Sequence, residues 1–178
     1  THWGVSGPAV LKLSSYAARL LAENDYKAPL AISWTGELTR QEVEENLLKL
    51  QTANPRKQVA TLHPFGLPSR LWLYILSKLG IDAVKPWAEI GRKTINRMIE
   101  TLVNDQYSIA GKGAFREEFV TCGGVSLSSV NSKTLESKVC PNLFFAGEVL
   151  DIDAITGGFN LQAAWTTGVV AGQCAAGS

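Results

Sequence analysis

The stretch FFAGEVLDIDAITGGFNLQAAWTTGVVAG, residues 144–172, decides how this chain is read. A short apolar run ends at Ala146-Gly147-Glu148, a loop with two aspartates follows, and Gly157-Gly158 precede a run rich in Ala, Gly and Thr. Glycine is costly to order, because it loses more backbone freedom on folding than any other residue. A pair directly before a helix marks backbone that bends sharply or comes close to something. The spacing predicts a helix from near Gly158 or Phe159, whose first amides lack internal partners and point along the axis. With the helix dipole they favour negative charge, and Gly157 and Gly158 would let that backbone approach a ligand. A tight connection uses the same glycines, since supplying positive φ is their commonest task in turns. Both readings stay open at this point.

Working outward, NLFFAG (residues 142–147) is a mostly apolar run between turn residues and predicts a strand buried on both faces. Its carboxyl end, at Ala146-Gly147-Glu148, is where open α/β sheets bind ligands. Glu148 can accept hydrogen bonds there from the hydroxyls of a ribose or ribityl chain. Thr121-Cys122-Gly123-Gly124 is a second place where backbone must bend or come near a ligand. YSIAGKG and FREEFVT read as two strands around a Gly-Lys-Gly turn. Ala164, Gly168 and Gly172 form a small-residue stripe, expected to bring the last helix close to a sheet.

The first two thirds read differently. Pro8 suits a first helical turn, and Val10, Leu13, Ala17 and Leu20 then recur at helical spacing. Residues 30–34, LAISW, read as a short strand. Thr39 with Glu42 forms a capping box ahead of a helix carrying Val43, Leu47 and Leu50, which Asn54-Pro55 ends. Pro68 opens another helix and Gly80 closes it. A further helix around TINRMIETLVN buries Ile95, Met98, Ile99 and Leu102. The middle is therefore mainly helical and the last third α/β, with no internal repeat.

Composition sets the outer bounds. The 178 residues are 46% hydrophobic and 19% charged, ordinary for a globular chain long enough to bury a core. Lys and Arg total 17 against 16 acids, so no strong field recruits nucleic acid or an anionic membrane. No apolar run approaches the roughly 20 residues of a membrane span. Cys122, Cys140 and Cys174 lie far apart, which argues against a disulfide framework and for an intracellular, reducing compartment. His2 and His63 do not cluster with the thiols, so no metal site is expected. Asp151 and Asp153 read as capping or cofactor-loop residues, and Trp34, Trp72 and Trp87 as core. His2 is a weak candidate acid or base, with a structural histidine as the alternative. The chain opens Thr1-His2-Trp3 without an initiator Met, which reads as a fragment.

THWGVSGPAVLKLS, from Thr1, and the run from Thr121 to Gly172 together resemble the aminoacetone-oxidase-family FAD-binding flavoproteins, within the glutathione-reductase-like group. The likeness spans nearly the whole chain. It implies an α/β fold with a mainly helical insert, the C-terminal part of an FAD-binding fold plus most of a barrel-and-bundle insert. Residues 1–117 would be insert and 118–178 the returning FAD segment. No glycine-rich βαβ turn of the G-x-G-x-x-G kind occurs in the sequence. The resemblance also implies that Gly147 and Glu148 line the ribityl–pyrophosphate region. Thr156, Gly157, Gly158, Phe159 and Asn160 would lie along the flavin's pyrimidine edge, and Thr121, Gly123, Gly124 and Val125 on another side. Cys122 departs from the family pattern and reads as a tolerated small residue. A helix start favours an anion by ~0.3–1 kcal/mol, and ~1.4 kcal/mol is ~30 mV for a two-electron couple, so the last helix would tune a bound flavin. The function implied is an FAD-dependent oxidoreductase acting on a small molecule, an amine among the candidates, with NAD(P)H a possible reductant. The alternative is a non-catalytic interaction module built on the helical middle. Either way, the chain taken alone is expected to self-associate through apolar surface left uncovered on its last segment.

Overall fold

A computed structural model of the chain describes residues 4–113 and 120–177. Two compact units form: one from residues 28–109, the other from residues up to 27 together with those from 110 onward.

The 28–109 unit begins with strand β1 (Ala28–Ile32), two residues ahead of the expected position. Helix α2 (Arg40–Ala53) opens on the expected capping box: the Thr39 side chain accepts from the Glu42 amide while Glu42 reaches back to the Thr39 amide. It ends at Asn54. Helix α3 (Ser69–Lys78) follows Pro68. At its end the Gly80 amide donates to the Ser77 carbonyl and the Ile81 amide to Leu76, a Schellman closure that Gly80 permits with φ 67°. Helix α4 (Arg92–Val103) leads into strand β2 (Asp105–Ile109). Val43 and Leu47 of α2, Trp72, Ile75 and Leu76 of α3, and Ile95, Met98, Ile99 and Leu102 of α4 share one buried core. Trp72 and Trp87 stack inside it at 6.4 Å, and the Trp72 indole donates to the Val59 carbonyl at 2.8 Å. Trp34 is partly buried against this core.

Strand β2 pairs antiparallel with β1, far upstream in the chain, with Leu30 opposite Tyr107. Residues 115–119 of the expected strand FREEFVT lie outside the described residues. The β1–β2 pairing follows from α4, which returns the chain beside β1, where the Trp34 amide donates to the Leu102 carbonyl at 2.8 Å.

The other unit carries helices α1 (Pro8–Glu23) and α5 (Phe159–Ala176). Pro8 sits at the start of α1 as expected, but no residue of that helix is buried, and Leu13 and Leu20 lie exposed. A smaller core unites Val130, Leu135, Leu150 and Ala171. NLFFAG is not a strand. Its backbone bonds to the neighbouring loop, Ser137 amide to Leu143 carbonyl and Phe145 amide to Leu135 carbonyl, and makes one antiparallel bridge, Phe144 to Glu136. One bridge is too short a ladder to extend into a strand. The α5 stripe is also turned from its expected position. Ala164 is partly buried, but Gly168 and Gly172 face outward, and Ala171 is the buried residue of the helix. Gly168 and Gly172 lie about one residue, roughly 100° of helical rotation, away from the packed face.

Candidate functional site

Three loops converge in the α1/α5 unit. Residues 121–125 approach through a parallel one-residue bridge, Val125 with Leu150. The Val125 amide donates to the Val149 carbonyl at 2.8 Å, and the Asp151 amide donates to the Val125 carbonyl at 3.0 Å. Gly124 is required at this crossing. A Cβ there would stand 2.6 Å from the Val149 carbonyl oxygen and 2.9 Å from the Asp151 nitrogen. The close approach expected at Gly123-Gly124 is therefore, at Gly124, an approach to the chain's own backbone.

Gly147 and Glu148 start a single turn of 3-10 helix, residues 147–149, in place of a strand end. Gly147 has φ 74°, and its amide donates to the Thr167 hydroxyl at 2.9 Å. That hydroxyl in turn donates to the Ala163 carbonyl at 2.7 Å, which seats the turn on α5. Glu148 is exposed.

The third loop runs from Asp151 into α5. The Asn160 amide group is committed to it twice: its oxygen accepts from the Ala154 amide at 2.8 Å and its nitrogen donates to the Ala154 carbonyl at 3.0 Å. Asp151 pairs with Arg19 of α1 at 2.6 Å. Gly157 and Gly158 carry φ 149° and 89° and are exposed with Thr156 and Phe159. Gly158 caps α5 in a left-handed conformation, and no side chain caps the helix. A Cβ at Gly158 or at Gly123 would meet nothing within 4 Å, and one at Gly157 only the Phe159 ring, so the space before these glycines is open. Uncapped amides behind open space fit a group that accepts hydrogen bonds.

A cleft of about 270 Å³ lies between these loops and α1. Leu11, Ser14, Ser15 and Ala18 form one wall; Cys122, Asp153, Ala154 and Thr156 form the other. Thr156 is thus brought into one cavity with the 120–122 segment, while Gly147, Glu148 and Gly158 do not line it. Hydrogen bonding to Asp153, then burial, pushes the Cys122 thiol above its usual range, so it is a neutral donor and not a thiolate. Hydrogen bonding to Asp151 and that carboxylate's charge likewise raise Arg19. No group of His, Cys, Asp and Glu suited to a metal forms among the described residues. His2 lies outside the described residues, and His63 is an exposed loop residue ahead of Pro64. Among the described residues no helix is long and apolar enough to cross a membrane.

Arg19, Thr167 and Asn160 are the side chains that hold these loops in place. Asn160 and Thr167 both stand within residues 144–172, but only Asn160 is expected from the sequence to matter there, and as a residue facing a ligand. Arg19 lies 132 residues from its partner, and no local pattern announces such a pair.

Comparison with known proteins places the chain in the FAD-binding oxidoreductase superfamily, with residues 23–174 matching the HI0933-like protein Rossmann domain. The chain belongs to this HI0933-like Rossmann family, and FAD is the family's cofactor. Two proteins named ribosomal RNA dihydrouridine synthase, from Haemophilus influenzae and Escherichia coli, are each 30% identical over 167 residues, covering 94% of this chain and 39% of theirs. The 3-dehydro-bile acid delta(4,6)-reductase of Clostridium scindens is 30% identical over 179 residues, covering 99% of this chain and 43% of its own. The chain spans about two fifths of the length of the curated relatives it matches.

Proposed function

We propose that the protein carrying this chain is an FAD-dependent oxidoreductase, and that this chain supplies one side of its flavin site. The observation that carries the reading is the start of α5. Two glycines with positive φ stand before uncapped amides, with open space at the Cβ position of Gly158 and the Thr156 cleft beside them. In this reading Thr156, Gly157, Gly158 and Phe159 present backbone to the pyrimidine edge of the flavin. Asn160 shapes the loop from within, since both ends of its amide group are engaged by Ala154. Gly147 and Glu148 serve the ribityl–pyrophosphate region, and Thr121, Gly123, Gly124 and Val125 another side of the ring. Bound FAD supplies the hydride chemistry; the chain's own residues bind, orient and polarise. The α5 amides would stabilise negative charge near the ring's pyrimidine edge.

With this proposal goes the division of the chain into residues 1–117 as insert domain and residues 118–178 as the C-terminal segment of the FAD-binding domain. The finer likeness to aminoacetone oxidases makes a small amine the first substrate to try. The relatives' names add a 3-dehydro-bile acid and ribosomal RNA. The balanced charge of 17 bases to 16 acids provides no electrostatic pull toward RNA. NAD(P)H is the reductant proposed.

The test is a visible absorbance spectrum of the protein that carries this chain, with Gly157→Val and Gly158→Val variants beside it. A branched side chain blocks the amides and opposes positive φ, so both variants should lose flavin that the unsubstituted protein retains. Full occupancy and an unchanged spectrum in both would reject the site. Anaerobic mixing with NADPH and then with each substrate class would identify the reaction.

A further inference from the structure

We propose that Arg19 is a positioning residue for the flavin site: its ion pair with Asp151 ties the two walls of the cleft together. This rests on the flavin reading above. The loop between Asp151 and Gly158 is held along its length. The backbone bridge to Val125 fixes it at Asp151, and the Asn160 side chain fixes it at Ala154. Both of those ties come from the same segment, residues 121–177, as the loop itself. Arg19 comes from α1, and its Nη2 stands 2.6 Å from Asp151 Oδ1.

The same helix supplies Leu11, Ser14, Ser15 and Ala18 to the wall facing Asp153, Ala154 and Thr156. The ion pair therefore crosses beside the cleft and sets how far α1 stands from the loop that leads into Gly157-Gly158. Its side chains are 61% and 28% exposed. An ion pair this open adds little to folding stability, because water screens it and two side chains must be ordered to make it. That separates the two roles an experiment has to distinguish. Loss of the pair should leave the fold standing and alter the cleft.

The experiment is FAD titration of the protein that carries this chain, unsubstituted and as Arg19→Met, Asp151→Asn and the double variant. A charge-reversed pair, Arg19→Asp with Asp151→Arg, completes the set. Each single variant should weaken FAD binding by about threefold to tenfold, and the double variant no further, since one interaction is lost once. The reversed pair should recover most of the loss. Thermal midpoints of the apoproteins should stay within about 4 °C of the unsubstituted protein's. Unchanged affinity in Arg19→Met, additive losses in the double variant, or no recovery in the reversed pair would each overturn the inference while leaving the flavin reading intact. An unsubstituted protein that takes up no FAD would bring down both.

Discussion

Gly124 shows how one hydrogen atom in place of a methyl group decides a crossing. At φ 150°, its added Cβ would press on three backbone atoms of residues 149–151, none of which can rotate away as a side chain would. Gly123, at φ 114°, has no atom within 4 Å of its Cβ position. The two neighbours therefore separate steric from conformational cost. Gly123→Ala should lose about 1–2 kcal/mol, the ordinary penalty for an L-residue in that region. Gly124→Ala should lose about 2–4 kcal/mol, since crowding adds to strain, and should loosen the Val125–Leu150 bridge. Urea denaturation of both variants measures the difference, and equal losses would show that the backbone yields at 149–151. Cys122 is the other residue whose role follows from its surroundings. Its thiol is held in the neutral form by Asp153, which suits a small hydrogen-bonding wall residue and opposes a nucleophilic or redox role.

Among the elements, the junction of β1, α3 and β2 is organised by Asp105, which is 3% exposed. Its carboxylate accepts from Lys78 of α3 at 2.5 Å, from the Tyr107 hydroxyl at 2.5 Å and from the Trp34 indole at 3.0 Å. Lys78 also stands 3.9 Å above the Tyr107 ring, and Tyr107 meets Tyr74 hydroxyl to hydroxyl at 3.0 Å. Burial by itself pushes the Asp105 carboxyl up, but the three hydrogen bonds and the Lys78 charge outweigh it and hold the group below the usual carboxylate range. Tyr107 is pushed up, first by burial and then by its bond to Asp105. A carboxylate lowered in the folded state stabilises it fully above the unfolded value of about 3.9, and that stability is lost as the pH falls through the lowered folded value. The 28–109 unit should therefore keep its denaturation midpoint from neutral pH down to about 4 at this site and weaken below it. In Asp105→Asn that acid limb should flatten, as stability against pH would show. Lys78→Met should cost roughly 2–4 kcal/mol at neutral pH, less than for a fully buried pair because Lys78 is a third exposed.

For the molecule as a whole, the two units are unequally built. Among the described residues, fourteen buried apolar side chains form the core of the 28–109 unit and four form that of the other. Leu161, Trp165 and Val169 line one exposed face of α5 at 63%, 70% and 59% exposure. Uncovered apolar surface at helical spacing favours association. Amides of α2, α3 and α4 should therefore exchange with solvent more slowly than those of α5. The 178-residue chain should also scatter light as more than a monomer, less so with Trp165→Glu. Hydrogen exchange alongside light scattering checks both; a monomer with α5 as well protected as α4 would overturn the expectation.

Local chemistry was readable from residue order alone. Pro8, the Thr39–Glu42 box, the Gly80 closure, the Gly158 cap and the α4 face of Ile95, Met98, Ile99 and Leu102 each depend on neighbours within about four positions, so spacing determines them. The positive φ of Gly157 and Gly158 was legible for the same reason, whereas FAD, the cofactor of the family to which the chain belongs, was implied by the sequence's resemblance to known flavoproteins and not by spacing. Pairing partners were not legible. Strand identity depends on which backbone lies alongside, and this is why β2 sits against β1 and why NLFFAG stops at a single bridge. The packed face of α5 depended on a shift of about 100° in what the helix rests against. The Arg19–Asp151 tie and the Asp105 cluster join residues 27 to 132 positions apart, apart from the Asp105–Tyr107 bond. Those distances close only when the chain has folded, and tertiary structure alone decided them.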